Sequence, residues 1–291
     1  MSAPHLALDL VAIARREARR ARSAHWQTAC GILLALLWLL PFSFVVLAIC
    51  KSTEEYAASA PLALPTSLAP LLDNARDAWQ QGEIGQAMLN SALYAGVGAS
   101  LAVLLAAMAA FALARLRFPR RNLWFLLLFA GTVFPFQMYL VPLFFGFQWA
   151  ALLNTRLGMC LLYTALCIPF PVLVLRNYMQ GLNLEVDQAA RMDGASELTL
   201  FLRIILPCLR GPMAAVFLLQ FTWIWNDMLF SSVLGNRPET RSIMNALLVF
   251  QGSYAQSGPN IMLTAAVLAS LPTLLLFLLL RRQFMQGLRV A

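Results

Sequence analysis

Lysine is almost missing from this 291-residue sequence. Lys51 is the only one, and Cys50 precedes it. A phosphate-cradling GxxxxGK[ST] loop needs a lysine behind a glycine, so the chain holds no such loop, and any work done with ATP must be done by another polypeptide. No GxSxG elbow, HExxH helix or paired-carboxylate arrangement supports an enzyme reading. The five cysteines (Cys30, Cys50, Cys160, Cys167 and Cys208) show neither CxxC nor zinc spacing. All lie in or beside apolar runs and read as small hydrophobes. The two histidines, His5 and His25, stand near the start and suggest no metal site. Charge is scarce too: 12% of residues are Asp, Glu, Lys or Arg, against 60% hydrophobic, whereas soluble chains carry about 25% and about 45–50%. A soluble core does not absorb that excess; a surface facing lipid does.

A helical crossing needs about 20 mostly apolar residues, and six stretches qualify, near 29–49, 91–113, 123–147, 159–175, 212–234 and 261–280. The expected fold is all-α: a polytopic membrane protein of six transmembrane helices. Its parts are a basic segment over 1–28, a first span over 29–50, a loop over 51–90, a core of five spans over 91–281 and a tail over 282–291. The first span exceeds a signal-peptide core of 7–15 residues. Leu47-Ala48-Ile49-Cys50 resembles a lipoprotein cleavage site, but Ile49 is bulky where that pattern wants a small residue, so an uncleaved anchor is expected. The loop carries Pro61, Pro65 and Pro70, then a short amphipathic stretch around 71–81.

Arginine sets the direction. With the N-terminus in the cytosol, 16 of the 21 basic residues fall on the cytosolic side. The other five are Lys51, Arg76, Arg156, Arg237 and Arg241. That asymmetry follows the positive-inside rule, and a miscount of one span would destroy it. Both termini are expected in the cytosol. The net charge of +8 belongs to these membrane flanks. No basic patch with interleaved aromatics lies outside them, and no nucleic acid is expected as a partner.

Between spans four and five, residues 177–210 form a cytosolic stretch too polar to cross and too long for a turn. Residues 184–192 hold helix formers with no Pro or Gly. Gly194 supplies a joint where positive φ is needed, and Asp193 or Ser196 can cap the next helix. That helix sets Leu198, Phe201, Leu202 and Ile205 on one stripe. A short helix with an apolar face is gripped in a groove on another protein or lies at the lipid interface; the physics leaves both open.

The spacing resembles the cytosolic loop of binding-protein-dependent ABC importer permeases, whose signature is Glu-Ala-Ala, three residues, Gly, nine residues, Ile, one residue, Leu-Pro. Ala189, Ala190, Gly194, Ile204, Leu206 and Pro207 match at the right intervals, and Asp193 and Ala195 complete the family's Asp-Gly-Ala. Two positions depart: Gln188 replaces the Glu, and Asn183 stands where Pro is frequent. Asn90-Ser91, Ala112-Leu113-Ala114-Arg115, Trp225-Asn226-Asp227 and Arg282-Gln283-Phe284 with Gly287-Leu288 resemble the carbohydrate branch, the maltose-type inner-membrane permeases. The chain stops soon after Leu288, so the longer tail of some members is expected to be missing.

The resemblance implies a type I ABC importer permease fold in a bacterial inner membrane. It also implies a sugar or sugar-like solute, a second permease subunit in a heterodimer, two copies of an ATPase subunit and an extracytoplasmic solute-binding protein. ATP and Mg would sit on the ATPase, with no cofactor on this chain. Glu185, Gln188, Ala189, Ala190, Asp193, Gly194, Ala195, Phe201, Leu206 and Pro207 would couple to that ATPase. Polar groups at membrane depth are pathway candidates by default: Gln137, Gln220, Asn226 and Asp227, with Trp225 beside them. Span prolines Pro135, Pro142, Pro169, Pro171 and Pro272 are candidate helix breaks that expose backbone to a cavity. The competing readings are an ion-driven secondary transporter, against which the lack of an internal repeat speaks, and a non-transporting membrane scaffold.

Overall fold

Every regular element is helical among the described residues of the computed structural model, 3–251 and 258–288, with side chains described over 26–251 and 258–281. The chain divides into two units, Met1–Asn74 and Ala75–Ala291.

In the first unit, α1 (Ala3–Ile49) is a single helix of 47 residues. The basic segment expected at 1–28 and the span at 29–50 are thus continuous helix. Its apolar part, Trp26–Ile49, is long enough to cross a membrane. Leu33, Leu37 and Trp38 stand exposed on it, as they do where lipid replaces water. A helix end leaves carbonyls without partners, and here Asn74 supplies them: its Nδ2 donates to the Ile49 and Lys51 carbonyls, each at 2.9 Å. The one lysine is buried beside this knot. Lys51 Nζ donates to Ser59 Oγ at 2.9 Å and to the Ala60 carbonyl at 3.1 Å, which offsets the cost of removing an ammonium from water. Ser52 caps α2 (Thr53–Ala58) by accepting from the Glu55 amide, and Glu55 Oε1 accepts from Thr66 N at 2.8 Å. The boundary between the units falls inside α3 (Pro70–Gln81).

The second unit is built around α4 (Ile84–Arg115), 32 residues. At 1.5 Å per residue it is about 48 Å long, well beyond the ~30 Å of hydrocarbon in a bilayer, and it is long and apolar enough to cross one. Ala87, Ser91, Ala95, Ala99, Ala102, Ala106 and Ala110 are buried along one stripe of it. Small residues at this spacing let helix backbones approach closely in lipid, where no hydrophobic effect drives helices together. Against this stripe pack α7 (Arg156–Cys167), α8 (Pro169–Gln180) and α12 (Arg210–Trp225). At Gly98 the approach is close: a Cβ there would lie 3.0 Å from Tyr163 Cβ and 3.2 Å from Ile224 Cδ1.

Three of the expected spans are not single straight helices. The stretch 123–147 splits into α5 (Arg121–Val133) and α6 (Gln137–Trp149), bent by 101°. Pro135 explains the break. The residue before a proline is driven out of the helical region, and Phe134 is extended at φ −72, ψ 135. The stretch 159–175 bends by 41° between α7 and α8, where Pro169 opens the second helix. The stretch 212–234 ends early: α12 stops at Trp225, and a separate short helix, α13 (Leu229–Leu234), follows. Not every span proline breaks its helix. Pro142 lies inside α6 and Pro272 inside α15 (Pro259–Leu288), while Pro171 sits in the first turn of α8, where a missing N–H costs nothing. Among the described residues there are three helices long and apolar enough to cross a membrane, and up to six spans if α5 with α6, α7 with α8, and Glu197–Cys208 with α12 each count as one crossing.

Between α8 and α12 come α9 (Leu184–Met192), α10 (Glu197–Leu200), a π-helical turn (Phe201–Ile205) and α11 (Leu206–Cys208). After α13 come α14 (Ile243–Ala246) and a 3₁₀ turn (Leu247–Phe250). The core runs along α4 in two parts. One gathers Tyr94, Ala99, Met159, Tyr163, Trp225 and Phe230. The other lies toward Arg115 and gathers Phe111, Leu175, Met179, Leu200, Phe201 and Leu209.

Candidate functional site

Residues 184–205 form a bent helix pair at the Arg115 end of the bundle. Asn183 starts it, its Oδ1 accepting from the Glu185 amide at 3.0 Å, the work of an N-cap residue. The end of α9 closes as a Schellman motif: Ala195 N donates to the Ala190 carbonyl at 3.0 Å and Gly194 N to the Arg191 carbonyl at 3.1 Å. Gly194 has φ +82, the left-handed conformation the sequence demanded of it. Ser196 rather than Asp193 caps the next helix, accepting from the Thr199 amide at 3.2 Å; Asp193 is the C-cap of α9. Across the joint, Arg191 holds Glu197 with two hydrogen bonds, Nε to Oε1 at 2.8 Å and Nη2 to Oε2 at 3.1 Å. The guanidinium pulls the Glu197 carboxyl below its ordinary pKa, and the carboxylate raises that of Arg191, in each case mainly through the hydrogen bond. Beyond Phe201 the helix widens to a π turn, with Leu206 N reaching back to the Phe201 carbonyl. Pro207 follows directly; it has no N–H to give and its ring displaces the carbonyl four residues back.

The ten candidate coupling residues fall into two groups. Glu185, Gln188, Ala189, Asp193, Gly194 and Pro207 are exposed, with Leu184, Val186, Met192 and Leu198 exposed among them. Ala190 and Phe201 are buried, and Ala195 and Leu206 partly so. The exposed set forms a surface with apolar content outside the span core; the buried set seats the pair on the bundle. Phe201 packs on Phe111 of α4, ring centroids 5.2 Å apart.

Sequence reasoning missed the other attachment. Arg115, the last residue of α4, points its guanidinium at Asp187 of α9, Nε to Oδ2 at 2.6 Å, with the side chains 3% and 1% exposed. Neither atom completes a well-aimed hydrogen bond, so this is a close charge contact rather than a directed N–H···O bond. Arg115 Nη2 also donates to the Leu182 carbonyl at 3.2 Å. Arg115 closes one of the motifs quoted above and Asp187 stands one residue before another, but no linear spacing relates positions so far apart. Between this pair and the joint lies a cleft of about 550 Å³ lined by Arg115, Arg117, Arg121, Gln188, Arg191 and Glu197.

A second cavity, about 390 Å³ and open at the surface, lies between the α5–α6 break, α7, α8 and α12. Thr132, Phe136, Cys167, Phe170, Gln220 and Trp223 line it. Of the five pathway candidates only Gln220 reaches it. Gln220 is buried, and its amide makes no hydrogen bond among the described residues. Trp225 instead faces α15: its Nε1 donates to the Ala269 carbonyl at 3.0 Å and its ring stacks on Phe221. Asn226 is exposed and bonds the Thr222 carbonyl at 2.8 Å. Asp227 accepts from Tyr163 Oη at 2.8 Å and from the Phe230 and Ser231 amides, each at 3.2 Å, capping α13. Gln137 is exposed at the start of α6. Trp223 lies on the cavity wall, in tilted contact with Phe136 and edge contact with Tyr163.

The opposite end of α4 is clamped. Asn90 Nδ2 donates to the Glu239 and Arg241 carbonyls at 3.0 and 3.1 Å, and Arg156 Nε donates to Asn90 Oδ1 at 3.0 Å. Ser91 Oγ accepts from Ile243 N at 2.8 Å, and Tyr94 Oη donates to the Thr240 carbonyl at 2.7 Å. The Asn90-Ser91 pair thus fastens the segment after α13 across the ends of α4 and α7.

A bundle of up to six crossings with a protruding, capped helix pair defines a membrane-embedded transport subunit. The description "binding-protein-dependent transport system inner membrane component" matches residues 101–290, and the chain belongs to that family. It is 33% identical over 253 residues to the diacetylchitobiose uptake system permease protein NgcG of Streptomyces coelicolor, covering 87% of this chain and 81% of that one. It is 26% identical to the melibiose/raffinose/stachyose import permease protein MelC of Bacillus subtilis, covering 93% and 97%. Its fold matches a chain in the crystal structure of a bacterial ABC transporter involved in the import of the polysaccharide alginate, at 18% identity and a TM-score of 0.77, covering 89% and 96%. The chain is a translocation-pathway permease subunit of an ABC importer. Such a permease works with an ATPase and a solute-binding protein.

Proposed function

We propose that this subunit passes a sugar or sugar-like solute across the inner membrane. It would pair with a second, different permease subunit, with two copies of the ATPase subunit carrying ATP and Mg, while this chain itself catalyses nothing. The helix pair 184–205 faces the cytosol, as do both termini, and the ATPase grips its exposed face. The observation that carries this is the pair itself. A capped, glycine-jointed protrusion with Leu184, Val186, Met192 and Leu198 exposed presents apolar surface that a groove on another protein would cover. The solute class draws support from the saccharide names of the relatives. It also draws on the bundle cavity, where an unpaired amide at Gln220 stands beside the aromatic faces of Trp223 and Phe136. That is the mix of apolar wall and sparse polar groups that orients a small ligand.

ATP binding can drive transport only by favouring one arrangement of the spans over another. The deciding experiment reconstitutes both permeases, the ATPase and the binding protein in liposomes and offers a panel of di- and trisaccharides. ATP-dependent uptake of at least one sugar, requiring the binding protein, is the expected result. Uptake driven by an ion gradient without ATP would refute the proposal in favour of a secondary transporter; recruitment of partners with no uptake would leave a scaffold.

A further inference from the structure

We propose that Arg115 and Asp187 are positioning residues that deliver the displacement of the helix pair directly into α4, in addition to the spans adjoining the pair in sequence. The inference rests on the coupling role proposed above and names the route inside the bundle.

The covalent routes are poor transmitters. Toward α8 the chain passes through Gly181, Leu182 and Asn183, a non-helical connection. Toward α12 it passes a 74° bend at Leu209. Through-space contacts add a route to α4, beside the core that Leu200 and Phe201 share with Leu175 and Met179 of α8. Each half of the pair meets α4, α9 through Asp187 on Arg115 and the following segment through Phe201 on Phe111. Phe111 and Arg115 lie four residues apart and so share one face of α4. Two attachments on one face fix the orientation of the pair as well as its distance, and the Arg191–Glu197 bridge keeps its halves from splaying.

A buried ion pair adds little net stability compared with well-packed apolar residues. What it supplies is registry between elements distant in sequence, and its physics suits a moving part. The Arg115–Asp187 contact is close but not a directed hydrogen bond. Charge attraction depends on separation more than on angle, so α9 can tilt without losing its hold while pulling apart stays costly. From α4 the movement spreads by close packing, since its small-residue stripe lies directly on α7, α8 and α12. Three of the helices bordering the 390 Å³ cavity are these.

The test uses the complete reconstituted complex and reads solute imported per ATP hydrolysed, with the amount of ATPase subunit retained. The double variant Arg115→Gln/Asp187→Asn removes both charges, leaving none buried alone. It should keep its ATPase subunit and keep hydrolysing, while the ratio falls roughly three- to thirty-fold, the span of measured coupling effects of single networks. Arg115→Lys keeps the charge but cannot hold Asp187 and the Leu182 carbonyl together; it should lower the ratio partway, and it decides the matter if the double variant does not accumulate. An unchanged ratio in the variant read overturns the inference. So does loss of the ATPase subunit, which would make the pair part of the dock. A wild-type complex that imports nothing with ATP would instead sink the proposed function, an outcome visible before any variant is made.

Discussion

Substituting Gly194 separates strain within the chain from contact with a partner. Gly194 sits at φ +82, and no heavy atom lies within 4 Å of where a Cβ would stand. Within the isolated subunit, therefore, size should not matter and backbone conformation should. An L-residue in the left-handed region costs about 1–2 kcal/mol, and Asn less because its short polar side chain bonds locally. A β-branched residue costs more. Stability of the detergent-solubilised subunit, followed by denaturant titration, should fall in the order Gly, Asn, Ala, Val, with Ala about 1 kcal/mol below Gly. In the assembled complex a joint seated in a groove would meet a wall, and volume would then count. Retention of the ATPase subunit should be worse for Gly194→Asn than for Gly194→Ala, reversing the first order, and Gly194→Glu should abolish retention while the subunit still inserts. The same order with and without the ATPase would refute the seating of the joint. A Val variant as stable as the parent would refute the geometry.

Three other outcomes are expected. Gly98→Leu should destabilise the subunit by about 1–3 kcal/mol through overpacking, because Tyr163 Cβ cannot move aside; wild-type denaturant resistance would show that α4, α7 and α12 are less closely packed. Gln220→Leu should leave insertion and ATPase retention intact but raise the solute concentration needed for half-maximal uptake about five-fold or more, the size of one lost hydrogen bond; unchanged uptake kinetics would remove Gln220 from the pathway. The Glu197 carboxyl has a lowered pKa in the folded chain, so its contribution is present above the ordinary carboxylate value near 4.3 and disappears as pH falls through the lowered value. Hydrogen-exchange protection at the joint, corrected for intrinsic rates, should hold at pH 6 and drop toward pH 3. The effect should stay below about 1 kcal/mol because the pair is partly exposed. Glu197→Gln should flatten the profile, and a parent already flat would contradict the bridge.

Several features were legible from local rules alone. Gly194 announced its positive φ because a helix ending in Asp-Gly-Ala before a capping Ser needs a residue without a Cβ penalty. Pro135 was a candidate break for an equally local reason, since it disturbs the residue before it. The expectation failed where a neighbour could decide otherwise. Pro142 and Pro272 stay inside their helices, and within the stretch 212–234, α12 stops at Trp225, beyond which Asp227 accepts from amides in the first turn of α13. Among the polar candidates in the spans, identity at membrane depth did not reveal direction. Trp225 turns to α15 and Asp227 to Tyr163, leaving Gln220 to line the cavity.

Composition and periodicity determined that this chain is a helical membrane bundle, and the interval from Ala189 to Pro207 determined its family. Both follow from short-range physics, the cost of bare peptide groups in lipid and the φ and ψ that each residue permits. Only the folded bundle decided that Arg115 holds Asp187, that Phe111 holds Phe201, and that the small residues of α4 form the seam on which three helices rest. Those partners are brought together by packing across the whole unit, and a residue's own type carries no record of which distant side chain will meet it.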